Sequence, residues 1–119
     1  MPFKEILREL VETTPGANGA ILADWEGEAV EQYCHFDEFE IKLIGAHKGI
    51  ILSRLRELHE AFPVGELHDL VITTEEQHHL VGAVGPDYVL VMTATRDALP
   101  ALALQGLRRG VELLKKEIF

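Results

Sequence analysis

Residues 37–62, DEFEIKLIGAHKGIILSRLRELHEAF, decide how this chain folds. No proline interrupts them, and apolar residues recur at steps of three and four. The stretch therefore reads as a single helix of about seven turns at ~3.6 residues per turn. Asp37 stands where an N-cap is needed, and Glu40, three residues on, completes a box-like arrangement. Pro63-Val64-Gly65 supplies the stop. One face carries Ile41, Ile44, Ile51, Leu52, Leu55, Leu58 and Phe62, enough to pack the helix on the molecule's own sheet.

A second apolar set, Leu43, Ala46, Ile50 and Ala61, lies roughly opposite at ~100° per residue. A helix with one buried face would place polar residues there. Gly45 and Gly49 add to the oddity, since each costs about 1 kcal/mol relative to Ala inside a helix. Close approach of another element is the best account of them. A monomer gains nothing by exposing the second stripe. Either the C-terminal helix of the same chain covers it, or a second copy does. We favour the second copy, meeting the first across a two-fold axis. The expected contact residues on this helix are Leu43, Ala46, His47, Gly49, Ile50 and Arg54. The strand expected next, over residues 66–74, opens a meander and so is placed at a sheet edge. Leu67, Leu70 and Ile72 make that edge apolar, and an uncovered apolar edge is a hazard unless paired.

The other elements follow on either side. Residues 3–14 read as a helix whose stripe is Phe3, Ile6, Leu7, Leu10 and Val11, stopped by Pro15-Gly16. Residues 17–24 and 28–34 form a hairpin around Asp24-Trp25-Glu26-Gly27. Residues 77–84 and 87–95 follow the edge strand across the short connections Glu75-Glu76 and Gly85-Pro86, so the three are antiparallel neighbours. Tyr88-Val89-Leu90-Val91-Met92 is apolar on both faces, as a central strand covered on two sides must be. Residues 97–118 form the last helix, with Asp97 as its expected cap and Pro100 in its first turn. The fold class is α+β: a five-stranded antiparallel sheet with helices on its faces, in one domain spanning residues 1–119.

Composition narrows the partners. The chain has 119 residues, 20 acidic against 11 basic side chains and a formal net charge of −9. Such a surface repels nucleic-acid phosphates and anionic lipids. Arg108-Arg109 and Lys115-Lys116 sit among Glu112 and Glu117 and read as a solvated helix face. Cys34 is the one cysteine in the sequence, which fits a reducing compartment. Met1 to Leu10 alternates charged and apolar residues, unlike a signal peptide. No apolar run approaches the ~20 residues of a membrane span. The expected location is the cytoplasm.

A search for chemistry finds little. The six histidines read as scattered surface side chains: His78 and His79 are adjacent in a strand and point to opposite faces, and His47 and His59 are three turns apart. Zinc needs three or four converging ligands, so no metal, cofactor or catalytic residue is expected. Ser53 sits mid-helix without a nucleophile-elbow context, and the phosphate-loop pattern is absent. Thr93, Thr95 and Arg96 read as a satisfied strand-to-helix junction ahead of an anion site. Trp25, at the hairpin tip, either anchors an interface or folds back on the sheet.

The stretch Pro15-Gly16-Ala17-Asn18-Gly19-Ala20-Ile21-Leu22-Ala23-Asp24-Trp25-Glu26-Gly27 resembles the opening of the roadblock/dynein light chain family: a Pro-Gly stop, a small-residue strand, then Asp-x-Glu-Gly at the hairpin. Gly45-Ala46, Gly65, the run Leu70-Val71-Ile72-Thr73-Thr74-Glu75 and the strand at Tyr88 continue the likeness over essentially the whole chain. The resemblance implies the same element order, and a homodimer with paired central helices and a ten-stranded sheet. It implies a non-enzymatic role as a dynein accessory chain, a scaffold for Ras-like GTPases, or a bacterial MglB-type regulator of an MglA-type GTPase. Regulators of that type reshape the GTPase and supply no catalytic arginine. The leading expectation is a homodimeric module that binds and regulates a small GTPase. A scaffold subunit and a small-molecule sensor are the alternatives.

Overall fold

The computed structural model describes residues 2–62 and 65–119. The elements run α1 (Phe3–Thr13), β1 (Ala17–Asp24), β2 (Ala29–Cys34), α2 (Glu38–His59), β3 (Asp69–Thr73), β4 (Gln77–Val84), β5 (Tyr88–Thr95) and α3 (Pro100–Ile118). The strands form one antiparallel sheet in the order β2-β1-β5-β4-β3. The strand without polar alternation, β5, is the middle one, and β3 is an edge, both as expected.

Helices cover the sheet from two sides. On one, α1 and α3 close a core built from Leu7, Leu10, Leu22, Leu90, Met92 and Leu107. On the other, α2 lies over Ile21, Ala23, Val81, Val89 and Val91 and contributes Ile41 and Leu52. The hydroxyl of Tyr33 and the imidazole of His35 both bond to Glu12, tying α1 to β2. Those two hydrogen bonds hold the Glu12 carboxyl below its usual range.

Asp37 caps α2 as expected, its carboxylate accepting from the Phe39 N–H at 3.1 Å. Among the described residues the Glu40 side chain makes no return bond, so the box is half formed. The helix ends at His59, and residues 60–62 leave it in a turn. Pro63 and Val64, the expected stop, lie outside the described residues. Two other boundaries differ by three residues. β3 begins at Asp69, after a non-strand approach through Glu66, Leu67 and His68. α3 begins at Pro100 with Leu99 as its N-cap residue. Asp97 does not cap it: that carboxylate accepts from the Thr95 hydroxyl at 2.7 Å. The cause is Pro100, which pushes the residue before it into extended backbone, φ −80° and ψ 115° at Leu99.

The largest correction concerns which way α2 faces. Its buried residues are Ile41, Gly45, Gly49 and Leu52. A Cβ added to Gly45 would stand 2.9 Å from Ile21 Cγ2, and one on Gly49 3.4 Å from Val89 Cγ1. The element that approaches these glycines is the chain's own sheet. Gly49 therefore does not belong to the exposed stripe, where it was expected as a contact residue. Leu55, Leu58 and Phe62, expected inside, are exposed. The distances separate the two glycines. At 3.4 Å a methyl group makes ordinary contact, and Ala gains about 1 kcal/mol over Gly in a helix. Gly49→Ala should raise the melting temperature by a few degrees, roughly 4 °C. Gly45→Ala should lower it, because Ile21 has to move. A fall in the Gly49→Ala melt would contradict this placement.

Candidate functional site

With Ile41, Gly45 and Leu52 turned inward, ~100° per residue puts Phe39, Leu43, Ile50 and Arg54 on the side facing away from the sheet. Phe39 is 66% exposed, Leu43 56% and Ile50 50%. His47 and Arg54 are exposed beside them. Ala46 is half-buried, because the turn at Gly27 approaches it: a Cβ there would lie 3.2 Å from the Ala46 methyl.

That contact fixes the two flanks of the helix. The side of Ala46 and Arg56 faces the β1–β2 hairpin, where the Arg56 guanidinium lies 5.0 Å from the centre of the Trp25 ring. Trp25 folds back, its indole N–H donating to the Pro86 carbonyl at 2.9 Å. The opposite flank carries Ile51, Leu55 and Leu58 and looks toward β4 and β3. Helix α2 packs mainly on β1 and β2, then on β5 and β4, so β3 lies beyond its edge. Leu70 pairs with Val81 and Ile72 with His79 in register. Both thus share the sheet face on which α2 sits. Leu67 and Leu70 are partly buried against that core.

The result is an apolar surface in several parts on one side of the sheet. Its parts are the outer stripe of α2, the exposed Leu55 and Leu58 on the flank of that helix, and Leu70 and Ile72 on the same sheet face of the edge strand β3. Of the expected contact residues, the structure brings together Leu43, His47, Ile50, Arg54, Leu70 and Ile72. It leaves Ala46 and Leu67 partly covered and removes Gly49. Sequence reasoning misplaced Leu55 and Leu58, which belong to this surface.

The polar groups where β5 leads into α3 are spoken for. Thr93 donates to the Asn18 side chain, and the Arg96 carbonyl lies 3.2 Å from His78 Nε2. These are the satisfied partners of a strand-to-helix junction. On the α3 side a groove of about 520 Å³ opens beside Leu67, Gly82 and Val111. Arg108 on its wall is paired with Asp69 at 2.9 and 3.3 Å. Among the described residues, no three His, Cys, Asp or Glu side chains gather in a way that could hold a metal ion. No helix of the described residues is long and apolar enough to cross a membrane.

Comparison with known proteins agrees with this geometry. Solved structures of the same fold include a Roadblock/LC7 domain from Streptomyces avermitilis, 18% identical, with a TM-score of 0.86 over 97% of this chain and 96% of that one. Myxococcus xanthus MglB is 13% identical, with a TM-score of 0.87 over 99% and 95% of the two chains. An MglB in a tetrameric arrangement is 18% identical, with a TM-score of 0.85 over 96% and 85%. No curated protein matches the sequence. The Roadblock/LC7 domain itself matches residues 3–94, and with most of its length so matched, the chain belongs to the Roadblock/LC7 family.

Proposed function

We propose that this chain is a homodimeric interaction module that works in the cytoplasm, and that the pair binds and regulates a Ras-like small GTPase of the MglA type. One observation carries the self-association: Leu43 and Ile50 stand exposed on the outer stripe of α2, on the same side of the sheet as the apolar residues Leu70 and Ile72 of the edge strand β3. Covering only one of the two would leave the other wet. A second copy of the same surface covers both, α2 against α2 and β3 against β3, across one two-fold axis. The fold is shared with MglB structures, one of them in a tetrameric arrangement, which supports assembly between copies. The net charge of −9 counts against a nucleic-acid partner.

The GTPase half of the reading rests on family membership and on the MglB likeness. Its chemistry follows from what the described residues offer: apolar area and shape. Regulation would then work by holding one conformation of the GTPase, the only way a binder without its own chemistry shifts an equilibrium. The test is to add the purified protein to candidate small GTPases and follow binding and GTP turnover. Binding with a changed rate is expected. Co-purification of a partner that is no GTPase, with no effect on turnover, would favour the scaffold reading.

A further inference from the structure

His79 of β4 shares a sheet face with Val81, a member of the core beneath α2. In register it lies between Ile72 of β3 and Thr93 of β5. The residue is 6% exposed. Its Nε2 lies 2.9 Å from the side-chain nitrogen of Gln77, while its Nδ1 has no partner. A buried polar atom in that condition calls for an explanation. The charged groups that act on the ring are Lys48 and His47 of α2 and the neighbouring His78 of β4. All three are basic, and β3 and β5 oppose it in register with the uncharged Ile72 and Thr93. Burial first, and then these groups, push His79 down to about 4.

His47 lies on the exposed stripe, near enough for its charge to act on the His79 ring. The Lys48 ammonium lies 2.9 Å from His47 Nδ1. An ammonium only donates, so that nitrogen must accept with a free lone pair. A proton on it abolishes the bond and leaves two positive charges side by side. The neighbours of His47 one turn away on α2 are Leu43, Ile44, Ile50 and Ile51, none of which can answer the charge.

We propose that His47, Lys48 and His79 form an acid-sensitive latch on self-association: protonation places unanswered positive charge between α2 and β3 and releases the second copy. The proposal rests on the self-association reading and adds its control. Two copies bring two such clusters toward the axis, so each protonation is felt twice.

The experiment is sedimentation of the full chain at about pH 7.5 and about pH 4, a span that covers ordinary histidine titration and reaches the lowered value of His79, about 4. Beside the wild type runs the variant His47→Gln/His79→Leu, with circular dichroism recording the fold of each sample. The dissociation constant of the wild type should rise about tenfold or more in acid, a change of ~1.4 kcal/mol or more, and that of the variant should stay nearly flat. An equal rise in the variant, or a dimer indifferent to pH, overturns the latch. A wild type that is monomeric at both pH values overturns the self-association reading and the latch with it. If His79→Leu does not fold, His47→Gln alone decides: it must lose a clear part of the acid response, and an unchanged response rejects the proposal.

Discussion

The double variant Leu43→Asp/Ile50→Asp is expected to be a folded monomer at concentrations where the wild type is a dimer. Within one chain both side chains are half or more exposed, so aspartate there meets water. Substitutions of that kind stay within about 0.5 kcal/mol of the parent. In a dimer built on α2 the same two positions are covered in both copies, which buries four carboxylates. Each costs several kcal/mol without a partner. Ala46, one turn from both, offers none, and even with His47 and Arg54 of each copy nearby, ion pairs on a covered face regain only part of that cost. Even a net loss of ~4 kcal/mol weakens the dimer about a thousandfold. Leu52→Asp is the necessary contrast. Leu52 is wholly buried against the chain's own sheet, so its variant should lose the fold and not merely the partner. Sedimentation with circular dichroism reads both. A double variant that dimerises like the wild type would remove the outer face of α2 from the interface.

The variants Leu43→Asp and Leu52→Asp probe the part of the fold that was hardest to read from the sequence. Hydrophobic pattern predicts a face only when apolar residues keep to one side. In α2 they run most of the way round: Ile41 and Leu52 inside, Leu43 and Ile50 outside, Ile51 and Leu55 between. The residues that settle the question are the least expressive ones. Glycine has no hydropathy to place it, and Gly45 and Gly49 disclose their direction only when Ile21 and Val89 are seen against them. The sheet is the opposite case. Val89, Leu90 and Val91 admit no polar face, and two short connections dictate antiparallel neighbours, so the β3-β4-β5 meander and the central place of β5 followed from local chemistry. The α3 boundary was legible and misread: a proline fixes the residue before it, and Pro100 outweighs the capping chemistry of Asp97. The histidines were misread as surface side chains: His78 and His79 are buried. Six similar side chains in a string of letters differ only in burial, and burial belongs to the folded state.

His79 gives that difference a measurable size. Its value falls from 6.5 to about 4 on folding, by burial first and then by Lys48, His47 and His78. The unfolded chain therefore binds a proton more readily than the folded one. Between these two values the unfolded state carries more protons, so stability rises with pH. The contribution is intact above pH 6.5, is lost progressively as the pH falls, and is fully lost below about 4. The whole difference is worth about 3 kcal/mol. His79→Leu removes the titration and also the orphaned nitrogen, and replacing a poorly satisfied buried group by an apolar one of similar size is neutral or stabilising. Wild type and His79→Leu should therefore have similar denaturant midpoints near neutrality and diverge in acid, with the variant the more stable by ~3 kcal/mol near pH 4. The measurement belongs in the Leu43→Asp/Ile50→Asp background, since a dimer that dissociates with pH would add its own concentration-dependent term. Other carboxylates titrate in the same window, but they are common to both proteins and cancel in the difference. Two curves that stay parallel from neutrality to pH 4 would mean that water reaches the His79 ring, and that α2 does not seal the sheet over it.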